Sequence, residues 1–381
     1  MIQLTRAQKQ VQKAARDFAK GEFDRETARE AEKIGQFPEE VFQRAAALGF
    51  VGIQLPEAYS GGGMGLLEAV LLAETLCALD GSLGQAVCEA GHGAECIARF
   101  GSQDQKERFL PPILEGRTAV AVAFMEAGRG ISSAPAATAA PDDKGWLLNG
   151  TKHFVSNAER AGIFLTLAAT PAGADETGAA SMFIVDADAA GIRVTDEGRR
   201  LGGNLTGGAE VTFDEVRLTP DRLLGKPGRG LAQLEAYYME RRILLAGQAL
   251  GLAQGALERA VAYVRQRVQF SRKIGAFAVT RHKIADLAAR VEAARLTVYQ
   301  AAAAFDAGQA DARTAAIAKL TAAEAAIAAA DEAIQLHGGY GYMREYDVER
   351  YYREAKALSL TAGAPGDLRD VVGASVIGKL K

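Results

Sequence analysis

No run of this chain approaches the roughly 20 consecutive apolar residues that a bilayer-crossing helix requires, which argues against a membrane span. Residues 1–20 lack the apolar centre of a secretory signal and read as the start of a polar helix. A basic excess is missing as well. The 44 Lys and Arg face 47 Asp and Glu, for a net charge of −3 and a pI near 6.0, so the electrostatic footprint of a nucleic-acid binder is absent. Cysteine is scarce. Cys77, Cys88 and Cys96 fall in one apparent helical region without metal-ligand spacing, so buried reduced thiols and no metal site are expected. No repeat of 20–50 residues is visible. A cytoplasmic protein is the expectation these absences leave.

What is present is a globular composition, 49% hydrophobic and 24% charged over 381 residues, enough for two or three domains and a sizeable core. Residues 1–117 carry helical periodicity, in Leu4–Phe18, Phe37–Leu48, Leu66–Leu79 and Ser82–Phe100, broken by the turn-rich PEAYSGGG after Leu55. Glu89 and His92 are polar residues in the small, apolar last stretch, and exposed positions on an amphipathic helix would account for them. From Thr118 the pattern changes to short β-rich runs punctuated by Gly, Pro and Asp, a compact β domain over residues 118–228 closed by the loop GKPGRG. From Leu231 the helical period returns. Glu240–Gln269, His282–Ala307 and Ala312–His337 are long, Ala-rich and amphipathic, as in an antiparallel bundle over residues 229–381. The fold class expected is α+β and multidomain: an N-terminal helical domain, a central β domain and a C-terminal domain resembling a four-helix bundle.

Gly145–Asn157, GWLLNGTKHFVSN, stands out in the β region. Two β-favouring runs flank Asn149-Gly150, the dipeptide best suited to a tight hairpin turn. Alternation in the second run puts Phe154 and Ser156 on one face. An aromatic ring beside a hydroxyl suits a planar heterocycle, although an ordinary hairpin explains the stretch equally well.

With its neighbours, this stretch resembles the acyl-CoA dehydrogenase family of flavoproteins, and the resemblance covers essentially the whole chain. Five motifs occur in family order. GWLLNGTKHFVSN is similar to the segment that meets the flavin ring, which implies Phe154 and Ser156 as FAD contacts. Phe124-Met-Glu-Ala-Gly-Arg-Gly-Ile is similar to the T-E-P-G-A-G-S-D loop, with Met125 at the hydroxyl position and Ile131 at the later serine; Phe124, Met125 and Gly130 are the implied flavin contacts and Ile131 a substrate contact. Arg267-Val-Gln-Phe270 resembles R-x-x-F-G, whose Arg reaches the pyrophosphate of a neighbouring subunit's FAD, a charge-assisted contact. Phe277-Ala278 stands where the family commonly has F-Q. Gln335-Leu-His-Gly338-Gly339 is similar to Q-x-x-G-G-x-G, whose glycines allow close backbone approach to the dinucleotide. The resemblance implies an acyl-CoA substrate, FAD, an electron-transfer flavoprotein as electron acceptor, and a homotetramer, with a homologous partner subunit as an alternative.

The C-terminal segment carries the departure. In the family a carboxylate removes the α-proton of the thioester and flavin N5 accepts the β-hydride. The usual base is the Glu of a Y-E-G-T-S segment, and ungapped alignment of Arg353-Glu-Ala-Lys with R-D-A-K puts Ala362 there, followed by Gly363. The Ala362 N–H would still be able to hold a thioester oxygen. One branch of the family carries its base on a helix of the C-terminal domain. Matching Tyr238-Met-Glu-Arg-Arg to that helix places Arg241 at the base position, with Glu240 about 100° away and Arg242 next. Glu240, read as lying near a helix start, and Glu89 are the candidate bases; Arg241, Arg242, Ala362 and Gly363 are candidate substrate contacts. Alternatives within the family are 1,4-dehydrogenation, desulfination, hydroxylation, or a non-catalytic subunit.

Overall fold

A computed structural model describes residues 3–171 and 179–378. Seven helices come first: α1 (Arg6–Glu22), α2 (Arg25–Ile34), α3 (Glu39–Ala47), α4 (Leu66–Leu79), α5 (Gly81–Glu89), α6 (Ala94–Phe100) and α7 (Gln103–Leu114). Their starts are written locally. Thr5 and Gln8 form a reciprocal capping box on α1, and Asp80 accepts from the N–H groups of Ser82 (3.0 Å) and Leu83 (2.9 Å) to begin α5. The single helical stretch expected over Ser82–Phe100 is two helices, broken at Ala90–Gly93, where Gly93 has φ +107°. The cysteines are thus spread over α4, α5 and α6, and all three are free thiols.

The β domain is one sheet of β1 (Ala119–Ala123), β2 (Thr138–Asp142), β3 (Gly145–Val155), β4 (Ala161–Ala169), β5 (Ala180–Asp186), β6 (Ile192–Asp196), β7 (Ala209–Leu218) and β8 (Leu223–Leu224). Its order is β6-β7-β3-β2-β4-β5-β8, with β1 parallel to β4. Here the hairpin expectation fails. Gly145–Val155 is one continuous strand, and the reversal falls at Asp143-Lys144, between Asp142 and Gly145, before this strand begins. Asn149-Gly150 is a bulge in the β3–β7 ladder, where the register slips between Leu148 and Gly150. Asn149 Oδ1 accepts from the Glu215 N–H at 2.9 Å, using its side chain to hold the bulge instead of turning the chain.

The C-terminal domain comprises α8 (Gly230–Gln266), the two-residue strands β9 (Val268–Gln269) and β10 (Arg272–Lys273), then α9 (Ala278–Asp306), α10 (Ala312–His337), α11 (Val348–Leu360) and α12 (Pro365–Ile377). The buried alanines of α10 (Ala322, Ala326, Ala329, Ala330 and Ala333) let it lie close to α8. α4 is apolar almost all round and docks on α8, where Gly251 and Gly255 admit its backbone: a Cβ at either would stand 2.5 Å or 2.4 Å from the carbonyl oxygen of Glu74 or Ala78. One core therefore joins the two helical domains. α8 begins at Gly230, so Glu240 lies well inside the helix and is buried, not a solvated helix-start residue.

Candidate active site

Beyond its bulge β3 slips register a second time, between Lys152 and Val155. There Phe154 takes φ +55°, a left-handed conformation that costs a β-carbon-bearing residue on the order of 1–3 kcal/mol and has to be held by its surroundings. The Phe154 N–H donates to Glu197 Oε2 at 2.7 Å, and His153 Nδ1 lies 3.0 Å from Glu197 Oε1. The result is a ring turned off the sheet and 65% exposed. Strict alternation therefore does not carry Phe154 and Ser156 onto a common face: Ser156 lies half-buried in the turn beyond the strand. Asn157, also left-handed, closes that turn through its N–H to the Thr206 carbonyl at 2.6 Å.

The Phe124–Ile131 loop is tied to this strand. The His153 N–H donates to the Met125 carbonyl at 2.9 Å. One position earlier, fully buried Lys152 donates from Nζ to Glu126 Oε1 (2.6 Å) and the Leu167 carbonyl (2.7 Å). Burial pushes the Glu126 carboxyl up, but the hydrogen bonds from Lys152 and from the Ala136 and Ala137 N–H groups outweigh it and hold the group below its ordinary range. Sequence reasoning missed Lys152; the signal was a lysine at an inward position of a strand that loops and sheet must cover. Phe124 is buried edge-on to Tyr237 at 5.7 Å, and Ile131 and Ala362 pack on the same apolar cluster. Gly130 lies on the same loop, where an added Cβ would approach only the Ser133 hydroxyl, at 3.3 Å.

The two candidate carboxylates separate. Glu89, at the end of α5, is paired with Arg241 and accepts from Gln248 Nε2 at 2.8 Å; its own carbonyl accepts from Asn157 Nδ2 at 3.2 Å. Arg241 and Gln248 are seven residues apart and so share one face of α8. Burial works to raise the Glu89 carboxyl, yet the charge of Arg241 prevails and holds it low. Glu89 is thus linked directly to the turn that follows Phe154 and Ser156. Glu240 points elsewhere. It is paired with Arg99 and lines a cavity of about 250 Å³ with Met64, Leu66, Glu95, Phe305 and Asp306, none of them from the Phe124 loop or β3. Burial, then the nearby charge of Glu95, pushes its carboxyl up to about 7.

Arg242 donates from Nε to the Ala362 carbonyl at 3.0 Å, so that residue pair is brought together. Ala362 is left-handed at φ +54° and Gly363 follows at +115°. A further set gathers at the far end of α8. The Arg267 guanidinium sits 5.7 Å over the Tyr340 ring, next to Gly338 and Gly339, where an added Cβ would meet only open space. Phe270, at the tip between β9 and β10, is 88% exposed, and Gln335 is exposed at the end of α10. Arg242 on α8 and Arg267, the residue that caps it, are 25 residues apart, or about 37 Å along the helix at 1.5 Å per residue.

The two groups of residues fit the two ends of a flavin dinucleotide. An exposed aromatic ring beside loop backbone suits the ring system; an arginine making no ion pair among the described residues, beside two bare glycines, suits a pyrophosphate. The comparisons agree. The sequence matches the acyl-CoA dehydrogenase N-terminal domain over residues 5–117, the middle domain over 121–216 and the C-terminal domain over 228–377. An acyl-CoA dehydrogenase of Bacillus subtilis is 35% identical, with 99% of this chain and 100% of the relative covered. A subunit of the caffeyl-CoA reductase-Etf complex of Acetobacterium woodii is 32% identical over 93% of this chain and 94% of its own. The structure of butyryl-CoA dehydrogenase from Megasphaera elsdenii superimposes with a TM-score of 0.93 at 31% identity, covering 99% of this chain and 100% of that one.

Proposed function

Because the chain belongs to the acyl-CoA dehydrogenase family of FAD-dependent oxidoreductases acting on CoA thioesters, we propose that Glu89 is its proton-accepting carboxylate and that Ala362 stands where most relatives carry theirs. The single observation carrying this is the chain of contacts from Asn157, in the turn after Phe154 and Ser156, through the Glu89 backbone to a side chain paired with Arg241 and Gln248. Glu89 is ionised at neutral pH, the state a proton acceptor needs, and it gains basicity whenever Arg241 is drawn away. When bound, FAD supplies the hydride acceptor. This chain's own residues do the rest. Phe154 and Ser156 would hold the ring system, with the Phe124–Ile131 loop beside it, and the N–H of Ala362 would receive the thioester oxygen. A base carried by the N-terminal helices also favours removal of a proton further along the acyl chain than the α position, as in 1,4-dehydrogenation.

The same reading makes the protein at least a dimer, and a homotetramer by family analogy. What supports it is that Arg267, Gly338 and Gly339 gather with the exposed Phe270 at the far end of α8, about 37 Å along the helix from the Arg242–Ala362 pair. An electron-transfer flavoprotein is the proposed acceptor, given the relative that is a subunit of an Etf complex.

Anaerobic bleaching of the flavin by a panel of acyl-CoAs tests the assignment. Glu89→Gln is expected to slow reduction about 10²–10⁴-fold with FAD content unchanged, and Glu240→Gln to leave it near the wild-type rate. The reverse result moves the base to Glu240. Failure of the wild type with every acyl-CoA places the chain as a non-catalytic partner of a homologous subunit.

A further inference from the structure

Lys319, on α10, is completely buried and has no carboxylate partner among the described residues. A buried ammonium is costly unless its three N–H donors are used. Here all are spent on one short piece of chain at the end of α11 and just beyond it: Nζ donates to the carbonyl oxygens of Ser359 (3.3 Å), Thr361 and Gly363 (2.6 Å). Arg242 takes the Ala362 carbonyl, at 3.0 Å. Two cations from two helices therefore grip four carbonyls of residues 359–363.

The geometry of the peptide group gives this grip a consequence. The Thr361 carbonyl and the Ala362 N–H belong to one planar trans peptide and point in opposite directions. Drawing that carbonyl onto Lys319 aims the Ala362 N–H away from α10. The same holds for the Ala362 carbonyl, Arg242 and the Gly363 N–H. Neither N–H donates to any atom among the described residues. A carbonyl bound by a cation also polarises its peptide, which makes the opposite N–H a stronger donor. The left-handed angles at Ala362 and Gly363 are what this arrangement needs, and the cation contacts are what sustain them.

We propose that Lys319 is a positioning residue that aims and polarises the Ala362 N–H, so that a main-chain donor backed by a buried ammonium binds the thioester oxygen. The inference rests on the reading of the 361–363 turn as the thioester site. It assigns a role to a residue remote in sequence from every motif above, and it explains how a turn without its own carboxylate still acidifies the substrate: charge developing on the thioester oxygen is met by a donor already oriented.

The test is the carbonyl stretch of bound substrate. The tightest binder among acetyl-, butyryl- and glutaryl-CoA, labelled with ¹³C at the thioester carbon, is added to FAD-loaded enzyme and the difference infrared spectrum recorded. In the wild type the stretch is expected to fall below its value in water. In Lys319→Met at least half of that shift should be lost, with flavin reduction slowed tenfold or more and FAD content unchanged. A shifted wild type with an equally shifted Lys319→Met overturns the role of Lys319 alone. No shift in the wild type overturns the reading of the turn, and the proposal with it. Should Lys319→Met fail to fold, the wild type supplies its own series. Burial, then Arg242 and Arg241, lowers the Lys319 ammonium to about 7. The shift should accordingly shrink between pH 6 and pH 9; constancy over that range overturns the proposal. Arg241 and Arg242 on α8 and Asp367 on α12 face Lys319, while Glu354 on α11 is turned to Ser82, Gln85 and Gly203 instead.

Discussion

Buried ionisable side chains decide most of what this protein does at the scale of single residues, and burial acts on them unequally. Glu89 and Glu240 are both carboxylates beside α8, yet Arg241 holds one low while burial raises the other to about 7. A group whose folded-state value is raised stabilises the fold fully below its unfolded value and loses that contribution as pH climbs through the folded one. Glu240 therefore weakens the protein between about pH 4.5 and 7. Glu240→Gln should be close to wild type in thermal unfolding at pH 5 and more stable at pH 8; a difference independent of pH would refute this assignment. Phe154→Ala belongs to the same scale. Loss of an exposed stacking ring is worth about 0.5–1.5 kcal/mol beyond area, up to roughly tenfold in FAD retention, measured as flavin content after dialysis. Neither carboxylate's state was legible in the sequence, because Arg99, Arg241 and Gln248 reach these groups from up to 159 positions away.

Elements show where local signals mislead. Asn149-Gly150 has the composition of a hairpin turn and instead forms a bulge, because β7 pairs along the whole of β3 and keeps it extended. The demand for glycine is real but different in origin. Gly150 has φ +142°, and a Cβ there would stand 2.4 Å from the Ala137 Cβ. Gly150→Ala is expected to cost about 1–3 kcal/mol, read as a lower unfolding temperature together with weaker flavin retention, since the strand delivers Phe154. In contrast, Leu66–Leu79 and Ala312–His337 match the helices residue for residue, because apolar patterning and flanking breaks agree there with the packing.

For the whole molecule, the exposed aromatic residues at the far end of α8 are the features a lone chain leaves unexplained: Phe270 is 88% exposed and Tyr342 86%. Nearby lies a largely apolar groove of about 550 Å³ between α8 and α9, lined by Val261, Val264, Ile284 and Ala288. Phe270→Asp should shift sedimentation toward smaller species and release FAD in parallel; an intact oligomer holding its flavin would count against FAD bridging subunits. The amino-acid sequence by itself determined the order of helical, β and helical domains, the family and the cofactor, because these are written in periodicity and in short contiguous motifs. The tertiary structure decided which carboxylate meets the turn after Phe154, that Asn149-Gly150 bends a strand without reversing it, and that Lys319 grips the turn at Ala362. Each of those depends on contacts between residues tens to hundreds of positions apart, and the direction of a side chain on a helix or strand is fixed only when its neighbours are in place.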